Sequence, residues 1–168
     1  VSGAAQGRGE PEQAPHEQRL RVLAERSAAR AYAPYSRFKV GAALLTRSGR
    51  VFVGCNVENA SYGGTVCAER NAVGAAVVAG ETDIVAIVVF THAERPTPPC
   101  GICRQVLIEF NPTMQIVSYN AAGLSQRWVA NELLPASFSR RDLDPDFEHP
   151  VAADPPDTAD DEPRDPDP

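Results

Sequence analysis

The chain has 168 residues, 22 acidic and 16 basic, and a net charge of −6 at neutral pH. That length suits one domain able to bury a real core. Nine acidic and two basic residues lie outside Glu17–Glu148, which leaves 14 basic against 13 acidic groups in the centre. A nearly neutral centre offers no basic stripe for phosphate backbones, so a free polynucleotide is not the expected partner. No stretch approaches the ~20 apolar residues needed to cross a bilayer. Residues 1–16 have no apolar core of the secretory kind, so they do not argue for export.

Residues 1–16 are rich in Gly, Ala, Gln and Pro and are expected to be a disordered tail. Leu20, Leu23, Ala24, Ala28 and Ala31 recur at helical spacing, which predicts a helix over Glu17–Ala31. Pro34 stops it. Phe38–Leu45 and Val51–Cys55 read as two strands of a hairpin around Arg47-Ser48-Gly49-Arg50. A helix rich in Ala and Val follows over Thr65–Ala79, closed by Gly80. Ile84–Phe90 is a continuous β-branched run, the pattern of a strand buried on both faces. Pro99–Phe110 reads as a helix with proline in its first turn. Met114–Tyr119 and Gln126–Val129 are further strands, and Asn131–Leu134 and Ser139–Leu143 are short helical turns. Residues 149–168 are rich in Pro and Asp and are expected to be a second disordered tail, bounding a folded domain at 17–148. The order of elements implies an α/β domain, one mixed sheet covered by helices on its faces.

Chemistry concentrates in Cys67-Ala68-Glu69 and Pro99-Cys100-Gly101-Ile102-Cys103. Three thiols suit Zn²⁺, and a catalytic zinc differs from a structural one by keeping a position open for water. Glu69, two residues after the first thiol, reaches that water without binding the metal. Cysteine, or histidine, followed by glutamate and then by a Pro-Cys-x-x-Cys segment is the signature of zinc-dependent nucleobase deaminases. Cys67, Cys100 and Cys103 fall at the starts of two predicted helices, whose positive ends favour thiolates. Three thiolates and one Zn²⁺ leave a charge of about −1 on the donor arithmetic, so a neighbouring cation is expected, with Arg70 and Arg104 the candidates. The competing arrangement is a closed structural site with Cys55, His92 or Glu69 as fourth ligand. Free thiols of this kind fit a reducing compartment, and the cytoplasm is the expected location.

The chain also resembles a known family, the small homotetrameric cytidine deaminases of pyrimidine salvage. The resemblance runs through Pro34-Tyr35-Ser36-Arg37-Phe38-Lys39-Val40-Gly41-Ala42-Ala43 and Gly54-Cys55-Asn56-Val57-Glu58-Asn59-Ala60-Ser61-Tyr62. It continues through Cys67-Ala68-Glu69-Arg70, Pro99-Cys100-Gly101-Ile102-Cys103-Arg104-Gln105, and Glu132-Leu133-Leu134-Pro135 with Phe138. It implies a three-layer α/β/α sandwich with a five-stranded mixed sheet and one zinc per subunit. It further implies that Asn56 and Glu58 hold the ribose 3′-hydroxyl, that Phe38 packs on the nucleoside, and that the Ala68 backbone and Glu69 read the base. Ala60 and Tyr62 would come from one neighbouring subunit and Phe138 from another. Without the resemblance, Phe38 and Phe138 read as ordinary core. Departures from the family pattern are Ile102 between the two cysteines, Gly63-Gly64-Thr65, and the two tails.

The implied reaction is hydrolytic deamination of cytidine and 2′-deoxycytidine to uridine and 2′-deoxyuridine. Zinc acidifies its water, and Glu69 carries protons first to ring N3 and then to the departing amine. Three other readings compete: a deaminase for a cytosine antibiotic of the blasticidin type, an RNA or DNA editor, and a zinc-stabilised interaction module using the acidic tail. The Asn56-x-Glu58 pair favours a nucleoside over the antibiotic.

Overall fold

In a computed structural model of the chain, the structure describes residues 15–144. The two tails expected at 1–16 and 149–168 lie outside these residues, except for Pro15 and His16. Those two open the first helix, α1 (Pro15–Ala29), where a first-turn proline wastes no hydrogen bond. The chain continues through β1 (Val40–Thr46), β2 (Val51–Cys55), α2 (Ala68–Val78) and β3 (Ile84–Thr91). It then forms α3 (Gly101–Phe110), β4 (Gln115–Asn120), β5 (Ser125–Val129), α4 (Ala130–Leu133) and α5 (Arg140–Leu143).

The five strands form one sheet in the order β2-β1-β3-β4-β5. Only β3 and β4 run parallel, and α3 bridges them as the crossover that parallel neighbours require. The remaining neighbours are antiparallel, so the sheet is mixed, as the element order implied. Period-two alternation sends side chains to two separate cores. Ala42, Leu44, Ile87 and Ile116 face α2 and α3, while Ala43, Val88, Phe90, Val117 and Tyr119 face α1. Two helical layers thus enclose the sheet, giving the three-layer α/β/α sandwich.

Two glycines set how closely the layers approach. A Cβ at Gly41 would lie 1.9 Å from the Ala24 carbonyl oxygen of α1, and one at Gly54 would lie 2.3 Å from that of Ala68 in α2. Neither position has room for a side chain. Gly54 therefore lets the first turn of α2 rest directly on β2, which fixes where Cys67 and Glu69 stand.

Several boundaries differ from the sequence expectation: α1 ends at Ala29 rather than Ala31, β3 runs on to Thr91, and three differences lie near the cysteines and Phe38. The segment Thr65–Val66 is not helical: Val57 and Val66 exchange backbone hydrogen bonds at 2.9 and 3.0 Å, so β-branched Val66 pairs as strand. Cys67 then caps α2 in an extended conformation. Pro99 lies outside α3, because Cys100 is its extended cap and the helix starts at Gly101. Phe38 and Lys39 precede β1, held apart from the ladder by a turn in which Arg37 takes a left-handed φ of 58°.

Candidate metal and catalytic site

Cys67 and Cys100 cap α2 and α3, and Cys103 lies in the first turn of α3. Because both helices cover the same sheet face, their N-termini converge. The three sulfur atoms lie within 4.8 Å of one another, and the Cys67 and Cys100 sulfurs are 3.7 Å apart. Two thiolates on a tetrahedral zinc at about 2.3 Å each would be about 3.8 Å apart, so the spacing fits that ion. Among the described residues no other His, Cys, Asp or Glu joins the cluster. Cys55, His92 and Glu69 therefore do not complete a closed four-ligand site.

Electrostatics fit the same ion. A hydrogen bond from Cys103 lowers the Cys67 thiol to about 5, with Cys100 and the Arg70 guanidinium adding to the effect. That same bond pushes Cys103 up, as does burial. Arg70 packs beside Cys67 and donates from Nη2 to the Thr65 carbonyl at 2.8 Å. Its Nε is buried and has no hydrogen-bond partner among the described residues. Arg104 behaves differently. Its Nε donates to the Pro99 carbonyl at 2.8 Å and its Nη1 to the Leu133 carbonyl at 3.1 Å, so it ties backbone rather than facing the thiols.

Glu69 is buried at 4% exposure in the first turn of α2, beside Cys103. Burial raises its carboxyl above the ordinary value, and the Cys67 charge adds to the rise. A carboxyl so placed holds a proton more readily than an exposed one, which suits a group that must both take and return it. Ala68, fully buried, lies between it and Cys67.

The segment after β2 brings Asn56 and Glu58 to the same region. By antiparallel register across the Val57–Val66 bridge, Asn56 falls opposite Cys67 and Glu58 opposite Thr65. Asn56 is buried, its Oδ1 accepting from the Val40 amide at 2.8 Å and its Nδ2 donating to the Phe38 carbonyl at 2.9 Å. The Glu58 carboxylate accepts from the Tyr35 amide at 2.8 Å, the Ser36 amide at 3.3 Å and the Ser36 hydroxyl. The Ser36 hydroxyl foremost, with the two amides, holds this carboxyl below its usual range against burial. An amide N–H of Asn56 and a lone pair on Glu58 Oε1 remain for a further partner.

Aromatic groups flank this segment without filling the core. Phe38 is 43% exposed, Phe138 59% and Tyr62 75%, so neither phenylalanine is core within the single chain. Tyr62 packs edge-on to Tyr35 with ring centroids 5.9 Å apart, and Ala60 is exposed nearby in sequence. Gln105 Nε2 donates to the Phe138 carbonyl at 2.8 Å, which pins the aromatic segment to α3. Ile102 projects outward at 62% exposure rather than into the cluster. A recess lined by Arg37, Phe38, Lys39, His92 and Ala93 opens beside Phe38 and contains none of the sulfur ligands. Ser36, Thr65 and Gln105 carry contacts that spacing alone did not reveal. Ser36 and Gln105 share motifs with Phe38 and Cys103, whereas Thr65 lies in a stretch that departs from the family pattern and carried no signal.

Comparison with known proteins bears on the whole arrangement. Residues 15–119 match the family described as the cytidine and deoxycytidylate deaminase zinc-binding region. A cytidine deaminase of Halalkalibacterium halodurans is 50% identical over 114 residues, which is 67% of this chain and 86% of that protein. The cytidine deaminase of Mycobacterium tuberculosis is 42% identical over 124 residues, 74% of this chain and 90% of its own length. Among solved structures, a Burkholderia pseudomallei cytidine deaminase superposes with a TM-score of 0.71 at 47% identity, covering 75% of this chain and all of that one. The M. tuberculosis structure gives a TM-score of 0.64 at 42% identity, covering 72% and 95% of the two chains.

Proposed function

The chain belongs to the cytidine and deoxycytidylate deaminase family, and from that premise we propose how its residues convert cytidine and 2′-deoxycytidine to uridine and 2′-deoxyuridine with release of ammonia. The activity itself follows from membership: the chain is a zinc-dependent enzyme that deaminates cytidine. One observation carries the mechanism. Three sulfurs from two helix starts converge beside a buried carboxyl, and no fourth protein ligand joins them among the described residues.

Cys67, Cys100 and Cys103 hold the zinc, with Arg70 offsetting the surplus negative charge. When bound, zinc supplies a Lewis acid that makes a water acidic enough to give up a proton near neutral pH. Glu69 does the proton work. Its carboxylate accepts a proton from the attacking water and gives it to cytosine N3 so that C4 becomes electrophilic. It then takes the second proton, from the new C4 hydroxyl, and delivers it to the amine, which leaves as ammonia while C4 becomes a carbonyl. One carboxyl acting as base and then acid must stay within hydrogen-bond reach of all three positions, which its rigid helical turn favours. The Ala68 backbone lies alongside to orient the base.

Asn56 and Glu58 bind the sugar. A 3′-hydroxyl both accepts and donates, matching the spare N–H of Asn56 and the spare lone pair of Glu58. Phe38 gives the nucleoside an apolar wall. Both ribose and deoxyribose carry a 3′-hydroxyl, so both nucleosides are substrates in this reading. Ala60, Tyr62 and Phe138 complete the sites of neighbouring subunits in a homotetramer. The exposure of Tyr62 and Phe138 on the single chain supports their serving another copy. Free thiols throughout support a cytoplasmic setting, and no described helix is long and apolar enough to cross a membrane.

The test follows cytidine loss by ultraviolet absorbance, with and without a zinc chelator, on protein sized by light scattering. Turnover that is abolished by chelation and restored by zinc is expected. Turnover unaffected by complete removal of the metal would refute the mechanism.

A further inference from the structure

We propose that Ser36 is the positioning residue for sugar recognition, holding Glu58 and Phe38 through a single hydroxyl. Its Oγ donates to Glu58 Oε1 and accepts from the Phe38 amide at 3.0 Å. A serine oxygen accepting from the amide two residues on closes a small local turn. Arg37 makes that turn possible by adopting a φ of 58°, a region few arginines occupy. The Ser36 amide donates to Glu58 Oε2 at 3.3 Å as well, so backbone and side chain of one residue grip both carboxylate oxygens.

The consequence is directional. An unrestrained glutamate samples several rotamers, and each costs binding when one must be selected. With Oε2 taken by two amides and Oε1 by the Ser36 hydroxyl, the remaining lone pair on Oε1 points one way only. The Phe38 carbonyl accepts from Asn56 Nδ2, so the same turn is coupled to the other half of the sugar clamp. Ser36 lies at the surface and contributes no core packing, which separates this role from a general structural one. The inference rests on the reading that Asn56 and Glu58 take the 3′-hydroxyl.

Steady-state kinetics on cytidine and 3′-deoxycytidine test it, using the wild type, Ser36→Ala, Ser36→Thr and Glu58→Gln. For Ser36→Ala, KM for cytidine should rise about tenfold, the scale of a lost charge-assisted hydrogen bond. Its kcat should stay within about twofold, the pattern of lost uniform binding. KM for 3′-deoxycytidine should not change, so preference for the hydroxyl collapses, and Ser36→Thr should restore it. Should Ser36→Ala fail to fold, Ser36→Gly removes the same hydroxyl from the turn and is read in the same way. A Ser36→Ala or Ser36→Gly enzyme that keeps the full preference, while Glu58→Gln loses it, overturns the role of Ser36 alone. Loss of kcat on both substrates alike also overturns it. If the wild type shows no preference, or Glu58→Gln retains it, the sugar-clamp reading falls and this inference with it.

Discussion

At the scale of single residues, Glu69 combines a buried carboxyl with a place next to a metal ligand, and the two facts pull its chemistry in one direction. Burial alone favours the protonated form, whereas the reaction needs a group that both takes and returns a proton. Glu69→Gln keeps the shape and the hydrogen-bonding size but removes the titration. We expect it to bind a full equivalent of zinc and to lose at least about a hundredfold in kcat, measured by ammonia release. Cys100→Ala acts on the other partner. It should lose bound zinc together with activity, read by metal analysis of the purified protein, because two thiols cannot complete the shell. The convergence of the three sulfurs was legible because helix starts place spaced cysteines predictably. Ser36 and Thr65 were not: their contacts depend on a left-handed arginine and on a two-residue bridge, neither of which leaves a periodic trace. Arg104 shows the opposite case, a residue next in sequence to a ligand whose guanidinium turns to backbone carbonyls instead.

Elements matter through how closely they pack. Gly54→Ala would drive a methyl against the Ala68 carbonyl oxygen, where the space is 2.3 Å. Overpacking of this sort should cost about 3 kcal/mol or more by denaturant unfolding, and shifting the start of α2 should reduce zinc retained after dialysis. On the other face, Glu17 of α1 accepts from the Tyr119 hydroxyl and from Arg127 of β5 at 2.7 Å, while Arg21 lies 4.8 Å above the Tyr119 ring. Burial works against the Glu17 charge, but the Arg127 and Tyr119 hydrogen bonds outweigh it and lower the carboxyl from 4.5. A lowered carboxyl stabilises the fold above its unfolded value and loses that contribution as pH falls through its folded one. The melting temperature should therefore drop as pH falls below about 4.5, and Glu17→Gln should flatten that acid limb while lowering stability at neutral pH. Hydrophobic periodicity revealed nearly all of these elements, since β-branched runs and alanine-rich stripes dominate them. It missed the ends, because Cys67 and Cys100 are extended caps and Val66 pairs with Val57 in a single bridge, features that leave no periodic trace.

For the molecule as a whole, the question is what Phe138 and Tyr62 do while exposed on a single subunit. If they finish another copy's site, two defective enzymes should repair each other. Phe138→Ala and Glu69→Gln are each expected to be weak alone. Subunits of the two, dissociated and reassembled together, should recover activity, because some sites would then combine an intact Glu69 with an intact Phe138. Unmixed reassembly of either variant gives the baseline, and absence of any gain would argue that Phe138 serves its own chain. The tether between Gln105 and the Phe138 carbonyl has one more implication, since α3 also carries Cys103 and is capped by Cys100. Gln105 stands only two residues beyond Cys103, so a shift of the thiols is passed to the aromatic arm through about half a turn of helix. If that arm does serve another copy, stripping the ion should loosen association between chains as well as stop turnover, read as smaller species by light scattering.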